Sequence, residues 1–77
     1  MIPVGRLGTV TIRVLLIIEE RRATAQPCTV RAIAAAADLS TTTCHWHLTR
    51  LRSAGLIAWD PDLANSIHPL VTVVAAG

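Results

Sequence analysis

The sequence predicts a small α+β domain, three helices followed by a two-stranded β-hairpin. Three observations predict it: apolar spacing of helical period, cap and stop residues at the helix boundaries, and two short β-prone runs near the C-terminal end separated by turn residues. The length of 77 residues suits one domain, residues 1–77, close to the lower limit for a self-sufficient core. Hydrophobic residues make up 52% of the chain, yet Phe and Tyr are absent, so the core must be built from Leu, Ile, Val and Ala.

The first helix is expected over roughly Thr9 to Ala23. Val10, Val14, Ile17, Ile18 and Arg21 share one side at 3.6-residue spacing, and Glu19-Glu20-Arg21-Arg22 suits a helical end. Alternation of Val10, Ile12 and Val14 with Thr11 and Arg13 would also suit a strand. Ten or more residues without a turn signal favour the helix. Ile12 and Leu16 point away from the stripe one turn apart, which marks a candidate self-association face.

After the loop "TAQPC", Thr29 is placed to cap a short helix, Val30 to Ala37, whose alanines give it high propensity and a slim profile. Ile33 and Ala37 share a face with Ala34 beside them, so another helix can approach closely. In the turn Ala37-Asp38-Leu39-Ser40, Asp38 sits where a positive φ is often needed, and Asp tolerates it better than most side chains. Ser40 then caps a third helix, about residues 41–54, with Gly55 as the left-handed stop. Threonines at 41, 42 and 43 are poor helix formers, so something other than propensity must explain them.

Leu56 to Trp59 and Ile67 to Val74 read as the hairpin, a wing over about residues 56–74, with Asp60-Pro61-Asp62 and Asn65-Ser66 in its loop. Pro69 confines the second run to an edge or kinks it. Trp59 is expected to pack under the hairpin. Helix, short helix, tight turn, helix, hairpin is the order of a winged helix-turn-helix domain. In such units the second helix of the pair enters the DNA major groove.

On a helical wheel Cys44, Leu48 and Leu51 form the core stripe of the third helix, flanked by His47 and Ala54. The opposite side carries Thr42, Trp46, Thr49 and Ser53, flanked by Thr43, His45 and Arg50. A tryptophan turned to solvent suggests a contact surface. Threonine hydroxyls there can bond base edges or phosphates, and their methyls can touch a thymine methyl.

Composition narrows the function. All seven basic residues are arginine, against five acids, for a net charge of +2; this is compatible with nucleic acid without demanding it. Cys28 and Cys44 form no CxxC pair and read as reduced thiols of a cytoplasmic protein. Val10 to Ile18 is interrupted by Arg13 and too short to span a bilayer, and no secretory cleavage signal follows it, so no membrane association is expected. A zinc site at Cys44, His45, His47 and His68 is imaginable, but Cys44 and His47 are needed for the core. A Cys–His nucleophile would need an orienting group and a pocket. Neither a metal or other cofactor nor enzymatic activity is expected.

The block "DLSTTTCHWHLTRLRSAGLI", preceded by "TVRAIAAAA" and followed by "WDP", resembles the N-terminal winged-helix DNA-binding domain of LexA-type SOS repressors. The matching runs are Thr29 to Ala34, Ser40 to Leu48 and Gly55-Leu56-Ile57, within a resemblance covering about residues 9 to 75. It implies double-stranded DNA as partner and base reading by Ser40, Thr42, Thr43, His45 and Trp46. By the same resemblance Arg31 is well placed for phosphate and His47 faces the first helix in a structural role; Thr49 and Arg50, on the outer side of the third helix, are expected at phosphates too. Two departures stand out. The self-cleaving serine–lysine protease and dimerisation half has no counterpart in these 77 residues, so autocleavage is not expected and a homodimer would form through the first helix or the final strand, at Ile12, Leu16, Val71 and Val73. The wing carries Asp60 and Asp62 where a basic wing is usual, and two carboxylates beside a phosphate backbone repel it.

Two functions follow from this reading. One is a sequence-specific DNA-binding transcription regulator, a compact repressor of phage or mobile-element type. The other is a winged-helix module turned to protein binding, an adaptor or antagonist gripping its partner through the same exposed face.

Overall fold

The structure is a computed structural model that describes residues 8–63 and 65–71. Three helices, α1 (Thr9–Ala23), α2 (Val30–Ala37) and α3 (Thr41–Ser53), precede two short strands, β1 (Ile57–Ala58) and β2 (His68–Pro69). The strands pair antiparallel, with Ile57 opposite Pro69 and Ala58 opposite His68. This is the small winged-helix architecture that the element order predicts. The helices pack on one another and on the hairpin around an aliphatic core centred on Leu15, Ile18, Ile33, Leu48, Leu51 and Ile67.

The caps are local chemistry and form where the side chains allow. Thr29 Oγ1 accepts from the Ala32 amide at 3.1 Å, and Ser40 Oγ accepts from the Thr43 amide at 3.1 Å, so each helix of the pair starts on a satisfied donor. All three helices close in the same way. After α1, Gln26 N donates to Arg21 O (2.8 Å) and Ala25 N to Arg22 O (3.3 Å). After α2, Leu39 N reaches Ala34 O (2.9 Å) and Asp38 N reaches Ala35 O (3.3 Å). After α3, Leu56 N reaches Leu51 O and Gly55 N reaches Arg52 O, both at 3.0 Å. This paired closure needs one left-handed residue per helix. The residues are Ala25 (φ 56°), Asp38 (φ 58°) and Gly55 (φ 75°).

The core face of α1 differs from the expected one. Thr11, Val14, Leu15 and Ile18 are buried, whereas Val10 is 44% exposed and Ile17 and Arg21 are half-buried. The helix is apolar almost all round between Val10 and Ile18, so its own spacing selects no stripe. Its neighbours select it: Thr11 meets α3 through a hydrogen bond, and the face beside Thr11 turns inward. Ile12, placed on an outer face by the wheel, is half-buried and packs against the core.

In α2, Ile33, Ala34 and Ala37 are buried as the spacing predicts. In α3 the buried residues are Cys44, His47, Leu48 and Leu51. Both cysteines are buried and free.

The paired part of the hairpin is shorter than the β-prone runs. One further bond, Leu70 N to Leu56 O at 2.9 Å, extends it past β2. Pro69 lacks an amide hydrogen and cannot donate to the ladder. Residues 72–74 of the expected second run, Val73 among them, lie outside the described residues. The wing loop is braced internally: Ser66 Oγ donates to Asp60 O (2.7 Å) and accepts from Asp60 N (3.1 Å), while Asp60 Oδ1 accepts from Asp62 N (3.0 Å). It is also tied to the body, because Arg22 donates to Ile67 O (2.8 Å) and Asn65 O (2.7 Å), and Asn65 Oδ1 accepts from Cys28 N (2.7 Å).

The three helix ends give a matched test. An alanine at positive φ costs about 1 kcal/mol that glycine avoids, partly offset by glycine's freedom in the unfolded chain. Ala25→Gly is therefore expected to raise stability by about 0.5 kcal/mol. Open space surrounds the Cβ position of Gly55, so Gly55→Ala should cost only the backbone strain, about 1 kcal/mol. Urea unfolding midpoints of the two variants, moving in opposite directions, check this.

Candidate nucleic-acid interface

The side of α3 turned from the core presents Thr41, Thr42, Thr43, His45, Trp46, Arg50, Arg52 and Ser53 to solvent, with Thr49 half-buried. Helical period explains the division, since Cys44, His47, Leu48 and Leu51 occupy the inward positions. Trp46 is 57% exposed, so this large apolar ring is no part of the core. It is nevertheless held. The Arg50 guanidinium lies 5.4 Å from its ring centroid, and the His47 imidazole packs edge-on at 4.9 Å and 86°.

The hydroxyls beside it are not equally available. Ser40 Oγ accepts the Thr43 amide and donates to Thr43 Oγ1 at 2.9 Å, so it is consumed by the cap. Thr43, with its oxygen already an acceptor, keeps its own hydroxyl hydrogen to give. Thr49 donates to His45 O at 2.9 Å, one turn back, and would have to break that bond to donate to a phosphate. Thr42 is exposed at the helix start. Arg31 is exposed in the first turn of α2.

His45 sits on the flank of α3 that faces the wing. Its ring meets Trp59 edge-on, centroids 4.9 Å apart at 74°. Trp59 is half-buried and is shared: the Arg52 guanidinium lies 5.1 Å from its ring, and Arg52 Nη1 donates to Trp59 O at 3.4 Å. Trp59, expected under the hairpin, packs partly against the core and also meets Arg52, to which the sequence assigns no role. The spacing of His45 and Arg52, seven residues or two helical turns apart, is the signal that one aromatic residue could bridge them. A narrow cleft of about 250 Å³ opens between Trp59, His45 and the start of α2, with Cys28 and Asn65 in its lining.

The inward residues carry the unusual electrostatics. His47 shares a buried 2.8 Å hydrogen bond with Thr11 Oγ1 of α1, the structural role that the resemblance implies. Burial pulls its pKa below the ordinary value, and the Arg50 charge adds to this, so it is neutral at pH 7. Burial also pushes the Cys44 thiol up to about 11 and raises that of Cys28, against the opposing pull of Arg22 and Arg21. Both thiols are protonated at neutral pH, with Cys44 donating weakly to Val30 O (3.7 Å) and Cys28 to Ile18 O (3.9 Å). They pack as small apolar groups. Cys44 and His47 turn inward, His45 turns to the wing, and His68 is exposed on β2, so the four donors do not converge. Among the described residues no group of three or more His, Cys, Asp or Glu is placed to hold a metal ion, and no helix is long and apolar enough to cross a membrane.

Leu16 is 44% exposed on α1, and Val71 is exposed beyond β2. Glu19, one turn after Leu16, lines a shallow groove with Pro69, Leu70 and Val71.

The depressed His47 pKa fixes a pH dependence. The unfolded chain binds this proton more readily than the folded one, so stability rises with pH across the window between the two values. The His47 contribution is fully present above the ordinary histidine value of 6.5 and is lost as pH falls below it toward the lower folded-state value. Urea unfolding followed from pH 7.5 to about 5 should show this decline, and His47→Gln should flatten it.

The profile of winged helix-turn-helix DNA-binding domains matches residues 9–58, which run from the start of α1 through β1. No curated protein and no solved structure was found to match the chain. The matched stretch is most of the chain and contains the whole helix pair and the exposed face of α3. The chain belongs to the winged helix-turn-helix DNA-binding family.

Proposed function

We propose that the domain is a sequence-specific double-stranded-DNA-binding transcription regulator of LexA-like repressor type, acting in the cytoplasm. The observation that carries the reading is the outer face of α3. It holds polar side chains that the fold does not need, around a tryptophan 57% exposed yet kept in one place by Arg50 and His47. In this reading α3 enters the major groove, and Thr42, Thr43, His45 and Trp46 read base edges. Ser40 contributes by starting the helix, since its hydroxyl is spent on the cap. Arg31 and Arg50 neutralise phosphates, and Thr49 contributes where its bond to His45 O gives way. Repression then follows from occupancy of the operator.

With Arg52 committed to Trp59, Arg31 and Arg50 give few phosphate contacts, so a second copy on a two-fold operator adds what one domain lacks. The homodimer is assigned to the exposed apolar side chains of Leu16 on α1 and Val71 beyond β2, with Ile12, which packs partly on the core, and Val73, which follows in the chain. Leu16→Glu should turn a dimer into a monomer in sedimentation at high micromolar concentration, with unchanged unfolding.

The exposed tryptophan and the carboxylates of Asp60 and Asp62 also favour a second reading, a protein-binding module using the same face. Duplex binding measured against salt separates the two. Phosphate contact gives log K falling steeply with log salt, and Arg31→Ala should make that slope shallower by about one unit for every duplex alike. Trp46→Ala should weaken duplex binding and leave unfolding unchanged. A variant that binds duplex as before but loses a protein partner decides for the protein-binding module.

A further inference from the structure

The wing of this domain carries no arginine among residues 56–71, and its carboxylates oppose phosphate. Its first residue after β1 does something else. Trp59 lies along the flank of α3 and touches it at two levels, His45 near the start and Arg52 two turns later. Arg52 holds Trp59 twice, by its guanidinium over the ring and by its bond to the Trp59 carbonyl. The same wing loop is pinned to α1 and to the loop before α2 by Arg22 and Asn65. Trp59 is thus fixed from behind, and His45 is the one side chain of the exposed face of α3 that packs edge-on against its ring.

We infer that Trp59 is a specificity-determining positioning residue: by fixing the rotamer of His45, it couples the wing to base reading without touching DNA itself. The inference rests on the reading of α3 as the DNA-contacting helix. An exposed imidazole on a helix samples several rotamers, and a base contact must pay the entropy of choosing one. An edge-on aromatic neighbour makes that choice in the free protein. Arg50 serves Trp46 in a comparable way, so the exposed face carries two pre-set aromatic rings, Trp46 held from within α3 and His45 held by the wing and, more loosely, by Thr49 Oγ1 at 3.5 Å from its Nδ1.

The test selects binding sites for the wild-type domain from a random duplex pool, then compares Trp59→Leu and Trp59→Phe on the selected and a random duplex. Signals of the His45 ring are followed by NMR in the free proteins. Trp59→Leu is expected to move the His45 signals toward those of a more mobile ring, restrained only by its 3.5 Å contact with Thr49 Oγ1. It should flatten preference at one or two base positions and lower discrimination by about fivefold, the low end for one good base contact. Random-duplex affinity and salt slope should stay as in the wild type. Trp59→Phe, which keeps an aromatic edge, should retain both the signals and the preference. Unchanged discrimination in a folded Trp59→Leu overturns the inference, as does equal loss on both duplexes. Should Trp59→Leu fail to fold, Arg52→Gln reads the same coupling from the exposed side: preference should fall at one or two base positions, and no change overturns the inference. A wild-type domain with no duplex preference sinks the DNA reading and this inference with it. That outcome is told apart from failure of the inference alone by the wild-type arm.

Discussion

Cys44, His47, Leu48 and Leu51 seat α3 on an aliphatic cradle, and the Thr11–His47 hydrogen bond sets the rotation at which it sits. Aliphatic surfaces tolerate sliding, because one methyl contact is much like another. A buried imidazole does not, since leaving it unpaired costs about 1–3 kcal/mol. Turning α3 by one residue, about 100°, would carry Trp46 or His45 inward in place of that pair. The exposed face is therefore the complement of one polar contact in a core that otherwise lacks direction. The same contact explains why α1 presents the face beginning at Thr11 and leaves Val10 outside.

Charge is distributed less generously than a count of arginines suggests. Arg21, Arg22 and Arg52 donate to main-chain carbonyls of Pro27, of Ile67 and Asn65, and of Trp59. These bonds hold loops that a domain of this size has too little apolar surface to hold otherwise. The guanidinium groups keep their charge but not their reach. Among the described residues, the exposed arginines of the helix pair that make no bond to a main-chain carbonyl are Arg31 in α2 and Arg50 in α3, and Arg50 already rests on Trp46. Net charge thus says little here about where an anion would bind.

What could be read from the sequence was what is decided locally. Thr29 and Ser40 as caps, Asp38 and Gly55 as left-handed stops, and the inward stripe of α3 each follow from a few adjacent residues. The stop at Ala25 escaped because alanine carries no signal for positive φ; Thr24 and the carbonyls of Arg21 and Arg22 impose it. The face of α1 escaped because a helix apolar all round takes its orientation from its neighbours. At the interface, residue type gave exposure but not commitment. Ser40 and Thr49 are hydroxyls in the right places whose hydrogen bonds are already used within the helix. The contacts of Trp59 join positions seven and fourteen residues apart through the hairpin, and no local pattern encodes them.

The wing shows how a small domain can change what an element contributes. Asp60 is occupied by its own turn, Ser66 closes the loop on Asp60, and Arg22 with Asn65 ties it to the body. A wing held this closely offers stiffness to the flank of α3 more than reach along a partner. Discrimination then has to come from the helix face, and stiffness there is worth more than an added charge, because a fixed side chain separates right from wrong partners while a phosphate contact strengthens both alike. The same holds for a protein partner. Either partner would meet the same pre-set rings of Trp46 and His45, which is why the salt dependence of binding, and not the location of the contact, tells the two readings apart.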